Sequence, residues 1–271
     1  MSDSPRSTRT TPVVDAEVAR VTRRIAAAYP DLSRPQAAGV AFLLARRRAI
    51  LADDAALDPA RQSVLAMHEA EPSGPILVIV PTASRRAWEQ RIAAVDPASP
   101  IGGTSALGAM RTPARWTVAT HEQLAHQGRD LVRIAWAGLI VDEAHRIRNR
   151  TKRTAWVLRL AGVDRGIGDD RGPGSVHLLT PTPMPERPRD LFNLLLVVRH
   201  PAAASFRRYA LRFCAATEHR YGLDTDGTSN AEELAAIAAE VMLGRTMGSA
   251  EAEPPVLVRF EMVTRDDRQV A

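Results

Sequence analysis

An apolar run that ends in two adjacent carboxylates constrains this chain most. Leu139, Ile140 and Val141 end the run, and Asp142 and Glu143 follow at once. Such a run is typical of a buried parallel strand, and ligands of open α/β sheets bind at the carboxyl ends of their strands. In nucleotide hydrolases an acid at that place holds Mg²⁺, and a second acid beside it can polarise the attacking water. Both acids are therefore candidate catalytic residues, with Asp142 as the candidate metal ligand.

The same residues allow a simpler interpretation. The tetrapeptide Asp-Glu-Ala-His, residues 142–145, could be a chance match or the start of a helix, because acids are favourable near a helix N-terminus. The neighbouring sequence has to decide between the two interpretations.

Composition limits the class of protein. Of 271 residues 45% are apolar, enough for a core, but runs such as 76–80 and 194–198 are far shorter than the roughly 20 residues of a membrane span. The N-terminus has no apolar signal region, and the single cysteine, Cys214, cannot form an internal disulfide. A net charge of +5 is compatible with a polyanionic partner and equally with compositional bias. We expect an intracellular protein, cytoplasmic or nucleoid-associated, without a membrane span or zinc site.

Apolar runs alternate with helical patterns over much of the chain. The runs predict strands at residues 49–52, 76–80, 116–119, 139–141 and 176–179. Helical spacing, caps and first-turn prolines predict helices at residues 13–29, from 35 onward, and at 59–68 and 188–198. Because strands and helices alternate, we predict an α/β fold in which helices cover both faces of a parallel sheet.

The two ends of the chain have other patterns. Residues 1–12 hold almost nothing apolar, so we expect a flexible basic tail. Residues 97–113 are rich in Gly, Pro and Ser and are typical of a surface loop. After residue 200 the pattern is mostly helical, and its predicted elements are helices at 206–214 and 230–243, a polar turn at 221–228 and a final strand at 256–262.

Five short blocks occur in a fixed order. They are Gln36-x-x-Gly39-Val40, Ile50 to Asp54, Val80-Pro81-Thr82 with Trp88, Asp142 to Asn149, and Leu179 to Pro183. In order and spacing these blocks resemble the first RecA-like lobe of the Swi/Snf-type DNA-dependent ATPases, members of helicase superfamily two with an Asp-Glu-Ala-His box.

Later blocks resemble the branch of this family that includes annealing helicases. They are Arg187 to Leu191, Phe213-Cys214, Tyr221 to Asp224, Ser229 to Leu234 and Val241 to Thr246. The resemblance covers roughly residues 31–263. It implies that residues 13–271 form a RecA-like, helicase-type ATP-binding lobe, with a family-specific and mostly helical C-terminal elaboration at residues 199–250.

The resemblance also implies a role for each matching residue. Gln36 would read the adenine edge of ATP, Asp142 would hold Mg²⁺ through water, and Glu143 would orient the hydrolytic water. The residues that would lie along double-stranded or branched DNA, touching phosphates without reading sequence, are Pro81, Thr82, Arg85, Arg86, Thr120 and His121. The residues that would couple the nucleotide state to the DNA are His145, Thr180 and Thr182. Simpler alternatives are a solvated Gln36, a packing role for Trp88, and an ordinary charged helix face at residues 146–153.

The predicted nucleotide site departs from the family at its phosphate loop, where Gly-x-Gly-Lys-Thr is replaced by Ala56-Leu57-Asp58-Pro59-Ala60. Glycines let N–H groups surround the phosphates, lysine supplies charge and threonine binds Mg²⁺. Asp58 instead adds a carboxylate, Pro59 removes the lysine and one N–H, and Ala60 removes the hydroxyl. The residues at the cofactor-binding positions are thus Gln36, Asp54, Ala56, Asp58, Pro59, Ala60 and Arg61. We expect weak or no binding of ATP and Mg²⁺, since Arg61 would not offset the charge of Asp58 and Lys152, the only lysine, follows a different segment.

Further departures leave three functional hypotheses open. Pro181 stands where the family has a small residue, Gly244 and Met247 stand where basic residues are usual, and the sequence stops soon after the first lobe should end. The chain could be a lobe for DNA translocation or remodelling, weak or inactive as an ATPase by itself, that works with a second lobe on a separate chain. It could be a pseudo-ATPase scaffold that binds DNA or docks a protein. It could also be a decayed remnant without activity.

Overall fold

A single parallel sheet forms the centre of the molecule. The computed structural model describes residues 12–104, 113–164, 172–184, 186–220 and 222–246. The sheet's strands in chain order are β1 (Arg48–Leu51), β2 (Ile76–Val80), β3 (Ile101–Gly103), β4 (Trp116–Thr120), β5 (Gly138–Val141) and β6 (Ser175–Leu179), and a short strand near the C-terminus completes it. Within the described residues the seven strands lie in the order β3-β4-β2-β5-β6-β1 and then this last strand, all pairs parallel.

Helices cover both faces of the sheet. They are α1 (Pro12–Ala28), α2 (Arg34–Arg46), α3 (Pro59–Ala70), α4 (Arg85–Val95), α5 (Leu124–Leu131), α6 (Lys152–Leu160), α7 (Pro188–Val197), α8 (Phe206–Phe213) and α9 (Ala231–Val241). Side chains of a strand point alternately to the two faces. Ile76, Val78 and Val80 accordingly pack with residues of α1 to α4, whereas Leu77 and Ile79 pack with residues of α5 to α9. Full burial on both faces explains why β2 and β5 are continuous apolar runs.

Local signals fix several helix starts. Ser33 caps α2 in a capping box with Gln36, and Thr151 caps α6 by accepting from the N–H of Thr154 at 3.2 Å. Pro59 lies in the first turn of α3. The starts of α2 and α3 agree with the predicted elements because caps and prolines act within a few residues of the sequence. The predicted α/β fold, a RecA-like sheet between helices, is confirmed.

The C-terminal part differs from the prediction in detail. The predicted helix at residues 230–243 ends at Val241, and β9 (Met242–Leu243) joins the sheet beside β1. The N–H of Ala52 donates to the carbonyl of Leu243 at 2.7 Å, so β9 satisfies backbone groups of the β1 edge. A polar turn is predicted at residues 221–228. The structure has a small antiparallel hairpin that overlaps this range, formed by β7 (Thr217–His219) and β8 (Gly222–Asp224).

Other predictions fall on the edges of the described segments. β3 lies inside the stretch predicted as a loop at residues 97–113. The predicted tail at residues 1–12 is outside the described residues except for Pro12, which begins α1, and the predicted strand at residues 256–262 is entirely outside them. Among the described helices, none is long and apolar enough to cross a membrane.

Candidate nucleotide and nucleic-acid site

The carboxyl ends of neighbouring strands bring the predicted site residues to one edge of the sheet. β4, β2, β5, β6 and β1 lie side by side, and the segments that follow them carry those residues. Backbone hydrogen bonds join the strand ends, since the N–H of His121 donates to the carbonyl of Val80 at 3.0 Å and the N–H of Asp142 to that of Ile79 at 2.8 Å. The edge is therefore a connected surface.

Asp142 directly follows β5, and two donors hold its carboxylate. The indole Nε1 of Trp88 on α4 donates to Oδ2 at 2.8 Å, and the N–H of Glu143 donates to Oδ1 at 2.9 Å. Burial raises the pKa of Asp142, and the hydrogen bond from Trp88 opposes that shift. Trp88 is itself 2% exposed, so it is a packing residue and also the donor that fixes the orientation of Asp142.

Glu143 and His145 form a second group beside Asp142. Glu143 has a positive φ of 49°, and its Oε2 lies 3.1 Å from Nδ1 of His145. The same ring nitrogen lies 3.3 Å from Oγ1 of Thr180, and that hydroxyl oxygen accepts the N–H of Thr182 at 3.2 Å. The structure thus brings together the three residues predicted to couple nucleotide and DNA, and the coupling role itself stays a prediction.

The segment at the predicted phosphate loop forms a short 3₁₀ turn, Ala55–Leu57, between β1 and α3. Asp54 caps this turn, because its Oδ1 accepts the N–H of Ala56 at 3.1 Å. Asp58 follows in the left-handed conformation with φ of 47°, a region that glycine adopts most easily. Its backbone then leads directly into α3, with Pro59 in the first turn.

The Asp58 carboxylate lies at the N-terminus of α3. Its Oδ1 accepts the N–H of Arg61 at 3.3 Å and Nε of Arg91 on α4 at 2.9 Å. The side chain of Arg61 pairs in turn with Asp31 in the connection between α1 and α2. A helix N-terminus attracts anions through its free N–H groups. In this chain one of its own carboxylates takes that place.

A buried ion pair connects segments on either side of the 3₁₀ turn at Ala55–Leu57. Arg245, just beyond β9, is 1% exposed and donates from Nε and Nη2 to the two carboxylate oxygens of Asp53 at 3.0 and 2.5 Å. Its Nη2 also donates to Oε1 of Gln62 on α3 at 3.0 Å, and Nη1 donates to the carbonyl of Pro35 at 2.5 Å. A Cβ at Gly39 would lie 1.7 Å from Gln62 Oε1, so glycine is required there. One guanidinium thus ties together the ends of β1 and β9, α2 and α3.

Gln36 has both ends of its amide engaged within the chain. Its Oε1 accepts the N–H of Ser33 at 3.0 Å in the capping box, and its Nε2 donates to the carbonyl of Leu57 at 3.2 Å. Nε2 of Gln62 donates to the same carbonyl at 2.8 Å. Gln36 therefore supports the 3₁₀ turn, and its predicted reading of adenine stays a prediction.

ATP and Mg²⁺ do not fit this arrangement. Asp58 uses the N-terminus of α3, Pro59 has no N–H, and Ala60 has no hydroxyl for a metal ion. Lys152, the only lysine of the sequence, begins α6 on the opposite face of the sheet. Across the described segments, no three His, Cys, Asp or Glu side chains are grouped so that they could hold a metal ion. No reaction step through ATP or Mg²⁺ follows from the structure.

The residues predicted to lie along DNA divide into exposed and buried ones. Thr82 and Arg86 are exposed, Arg85 is half-buried and pairs with Glu89 at 2.9 Å, and Pro81 is buried. Their contact with DNA stays a prediction.

Thr120 and His121 are buried at 4% and 1% exposure. Nε2 of His121 lies 2.7 Å from the carbonyl oxygen of Asp142, and burial lowers the pKa of His121 to about 4. His121 thus contacts the residue that follows β5, whereas the backbone N–H of Thr120 donates to Oε1 of Gln123 at 2.8 Å. A role in DNA binding is not tested for either residue.

The exposed acid Glu122 follows His121 and links two of the predicted DNA segments. Oγ1 of Thr82 donates to Glu122 Oε2 at 2.8 Å, and Nη1 of Arg146 lies 3.5 Å from Oε1. Sequence reasoning did not single out Glu122, Arg91, Gln62 or Arg245. The contact of Arg91 with Asp58 spans 33 positions and that of Arg245 with Asp53 spans 192, so no local spacing signals these contacts.

Strand order, helices on both faces and an acidic strand end define a RecA-like lobe. A family model described as the SNF2-related domain matches residues 35–258. The chain belongs to the SNF2-related family, and the predicted Swi/Snf-type first lobe is confirmed.

Similar proteins agree with this assignment. The chain is 30% identical over 254 residues to the Bos taurus SWI/SNF-related matrix-associated actin-dependent regulator of chromatin subfamily A-like protein 1, covering 92% of this chain and 26% of that protein. It is 26% identical over 237 residues to the Mus musculus DNA annealing helicase and endonuclease ZRANB3, covering 82% of this chain and 21% of that protein. Among solved structures, the Sulfolobus solfataricus SWI2/SNF2 ATPase core in complex with dsDNA matches with a TM-score of 0.64 and 21% identity, over 80% of this chain and 44% of that one. The chain thus spans about a quarter of the curated relatives.

Proposed function

We propose that this SNF2-related lobe binds double-stranded DNA at the carboxyl edge of its sheet and does not hydrolyse ATP. The proposal that the lobe does not hydrolyse ATP rests on the Asp58 carboxylate at the N-terminus of α3, where Arg91 donates to it at 2.9 Å. A triphosphate would meet a like charge there instead of lysine and glycine N–H groups. The lobe is then a pseudo-ATPase whose function depends on its surfaces.

Three features support binding to DNA. The chain carries a formal charge of +5, which favours a polyanionic partner. Several side chains that donate to phosphates, including Thr82, Arg86 and Arg146, follow the neighbouring strands β2 and β5. A structure with the same fold, the Sulfolobus solfataricus ATPase core, was solved in complex with dsDNA. None of these groups reads bases, so we propose binding without sequence preference.

The nucleotide half of the proposal is tested by rebuilding the loop. Isothermal calorimetry with ATP and Mg²⁺ should give no micromolar binding for the natural chain. The variant with Ala56→Gly, Asp58→Gly, Pro59→Lys and Ala60→Thr restores each missing group and should bind. Micromolar, Mg²⁺-dependent binding by the natural chain would refute the pseudo-ATPase assignment.

The DNA half is tested by a salt titration. Fluorescence anisotropy with a short labelled duplex should show affinity that falls steeply with salt, because each phosphate contact releases counterions. Arg86→Ala should weaken binding and make the slope of log K against log salt shallower by about 0.9. Arg20→Ala, on exposed α1, is the matched control and should change neither. Affinity that stays flat from low to physiological salt would refute DNA binding through phosphates.

A further inference from the structure

The turn after β4 places one carboxylate between two segments of the proposed DNA surface. The N–H of His121 donates to the carbonyl of Val80 at 3.0 Å, and its ring Nε2 lies 2.7 Å from the carbonyl of Asp142. The residue before Glu122 is therefore fixed to the ends of both β2 and β5. Glu122 cannot move away from these strand ends without breaking buried contacts.

Both oxygens of Glu122 are engaged by groups that are suited to phosphate. Oε2 accepts the hydroxyl of Thr82 at 2.8 Å, and Oε1 lies 3.5 Å from Nη1 of Arg146. The hydrogen bond from Thr82 holds the pKa of Glu122 below its usual range, so the side chain is ionised at neutral pH. A carboxylate thus occupies the donors that a phosphate oxygen would use.

We propose that Glu122 is a positioning residue that holds Thr82 and Arg146 in the free protein and yields them to a DNA phosphate on binding. The inference rests on the proposed DNA binding and adds that Glu122 lowers the affinity for DNA.

The physical reason lies in the exposure of the pair. The side chains of Arg146 and Glu122 are 36% and 54% exposed, and surface ion pairs of this kind contribute little to stability. A phosphate can therefore displace Glu122 at small cost, while the displaced carboxylate remains close to the bound anion. Its repulsion lowers affinity in every complex that forms.

The test compares Glu122→Gln with the natural chain by anisotropy on the same duplex. A unit charge about 4 Å from a phosphate in water changes binding about fivefold, so the variant should bind about fivefold tighter at low salt. Its salt slope should steepen by up to about 0.9, because the net positive charge that this surface presents to DNA rises by one. Glu233→Gln is the matched control: Glu233 on α9 pairs with Arg212 on α8, and its described partners include no residue of the proposed DNA surface. This variant should change DNA affinity less than twofold, because salt screens the interaction between Glu233 and the DNA.

A double-variant cycle separates positioning from a structural role. Arg146→Gln should cost more DNA affinity in the Glu122→Gln background than in the natural chain. In the natural chain Arg146 is paired with Glu122, so less of its charge is available to the DNA. Additive effects would overturn the proposal, as would a Glu122→Gln variant that binds equally or more weakly. A purely structural Glu122 gives weaker binding together with lower thermal stability. If the natural chain binds no DNA at all, the proposed function itself fails. That outcome differs from one in which the natural chain binds DNA but Glu122→Gln does not strengthen the binding.

Discussion

Arg245→Met should destabilise the fold strongly although Arg245 lies far from the acidic motif in sequence. The side chains of Arg245 and Asp53 are 1% and 0% exposed and form a two-pronged ion pair. Methionine keeps much of the length and apolar stem of arginine but none of its donors. The substitution therefore leaves a buried carboxylate with only Nε2 of Gln62, at 3.2 Å, among its described partners.

The size of the loss follows from burial. Removing one partner of a buried ion pair costs about 3 to 5 kcal/mol, because the remaining charge is not solvated. Arg245 also donates to the carbonyl of Pro35 and to Oε1 of Gln62, and each lost bond to a buried acceptor acts in the same direction. We expect a loss near the middle of that range or above it.

The assay is urea unfolding at pH 7, followed by tryptophan fluorescence and extrapolated linearly to water. Arg212→Met is the matched control: Arg212 pairs with Glu233, but the two side chains are 62% and 38% exposed. Its loss should stay below about 1 kcal/mol. A double variant, Arg245→Met with Asp53→Leu, should recover much of the stability, because an apolar pair can replace a buried ion pair.

Two results would refute this reasoning. A loss below about 1 kcal/mol for Arg245→Met would show that Asp53 is not held in a dry environment. A double variant that is as unstable as the sum of the two single ones would show that the pair does not act as a unit.

Two further predictions concern pH and the cap of α3. Burial lowers the pKa of His177 to about 3, below its unfolded value of about 6.5, so the unfolded chain takes up the proton first. Stability should therefore fall by about 1 kcal/mol per pH unit on acidification below pH 6. This slope should weaken in His177→Gln, which can still bond Ser63 but does not titrate; equal urea-unfolding slopes would contradict the assignment. Asp58→Ala should cost about 1 to 2 kcal/mol through loss of the cap, whereas Asp58→Gly should cost less because φ is positive; equal losses in thermal unfolding would show that backbone strain is unimportant there.

Local patterns predicted most of the elements. β2 at Ile76–Val80 agrees residue for residue, and α3 begins at Pro59 as its cap and proline indicate. β9 was missed because Met242 and Leu243 continue the apolar spacing of α9, and only the free edge of β1 makes them a strand. The hairpin of β7 and β8 was missed because its three-residue strands, almost wholly exposed, carry no alternation of apolar side chains.

The sequence by itself determined the family, and it predicted that the candidate site residues meet at one edge of the sheet. The order of the motifs from Gln36 to Thr182 identifies the lobe, and parallel strands must bring those motifs to one edge. It also predicts weak nucleotide binding, because Asp58, Pro59 and Ala60 stand at the phosphate-loop positions without the groups of glycine, lysine and threonine.

Tertiary structure decided which partners those residues have. Arg245 reaches Asp53 across 192 positions, and Glu122 meets Thr82 across 40. Neither contact leaves a periodic pattern, because each depends on strand order and on side-chain directions across different elements. For the same reason only the fold shows that His121 is buried beneath the surface where its motif predicted contact with DNA. The acids that follow β5 belong to the motif that identifies the family, while the tertiary structure decides which groups pack around them.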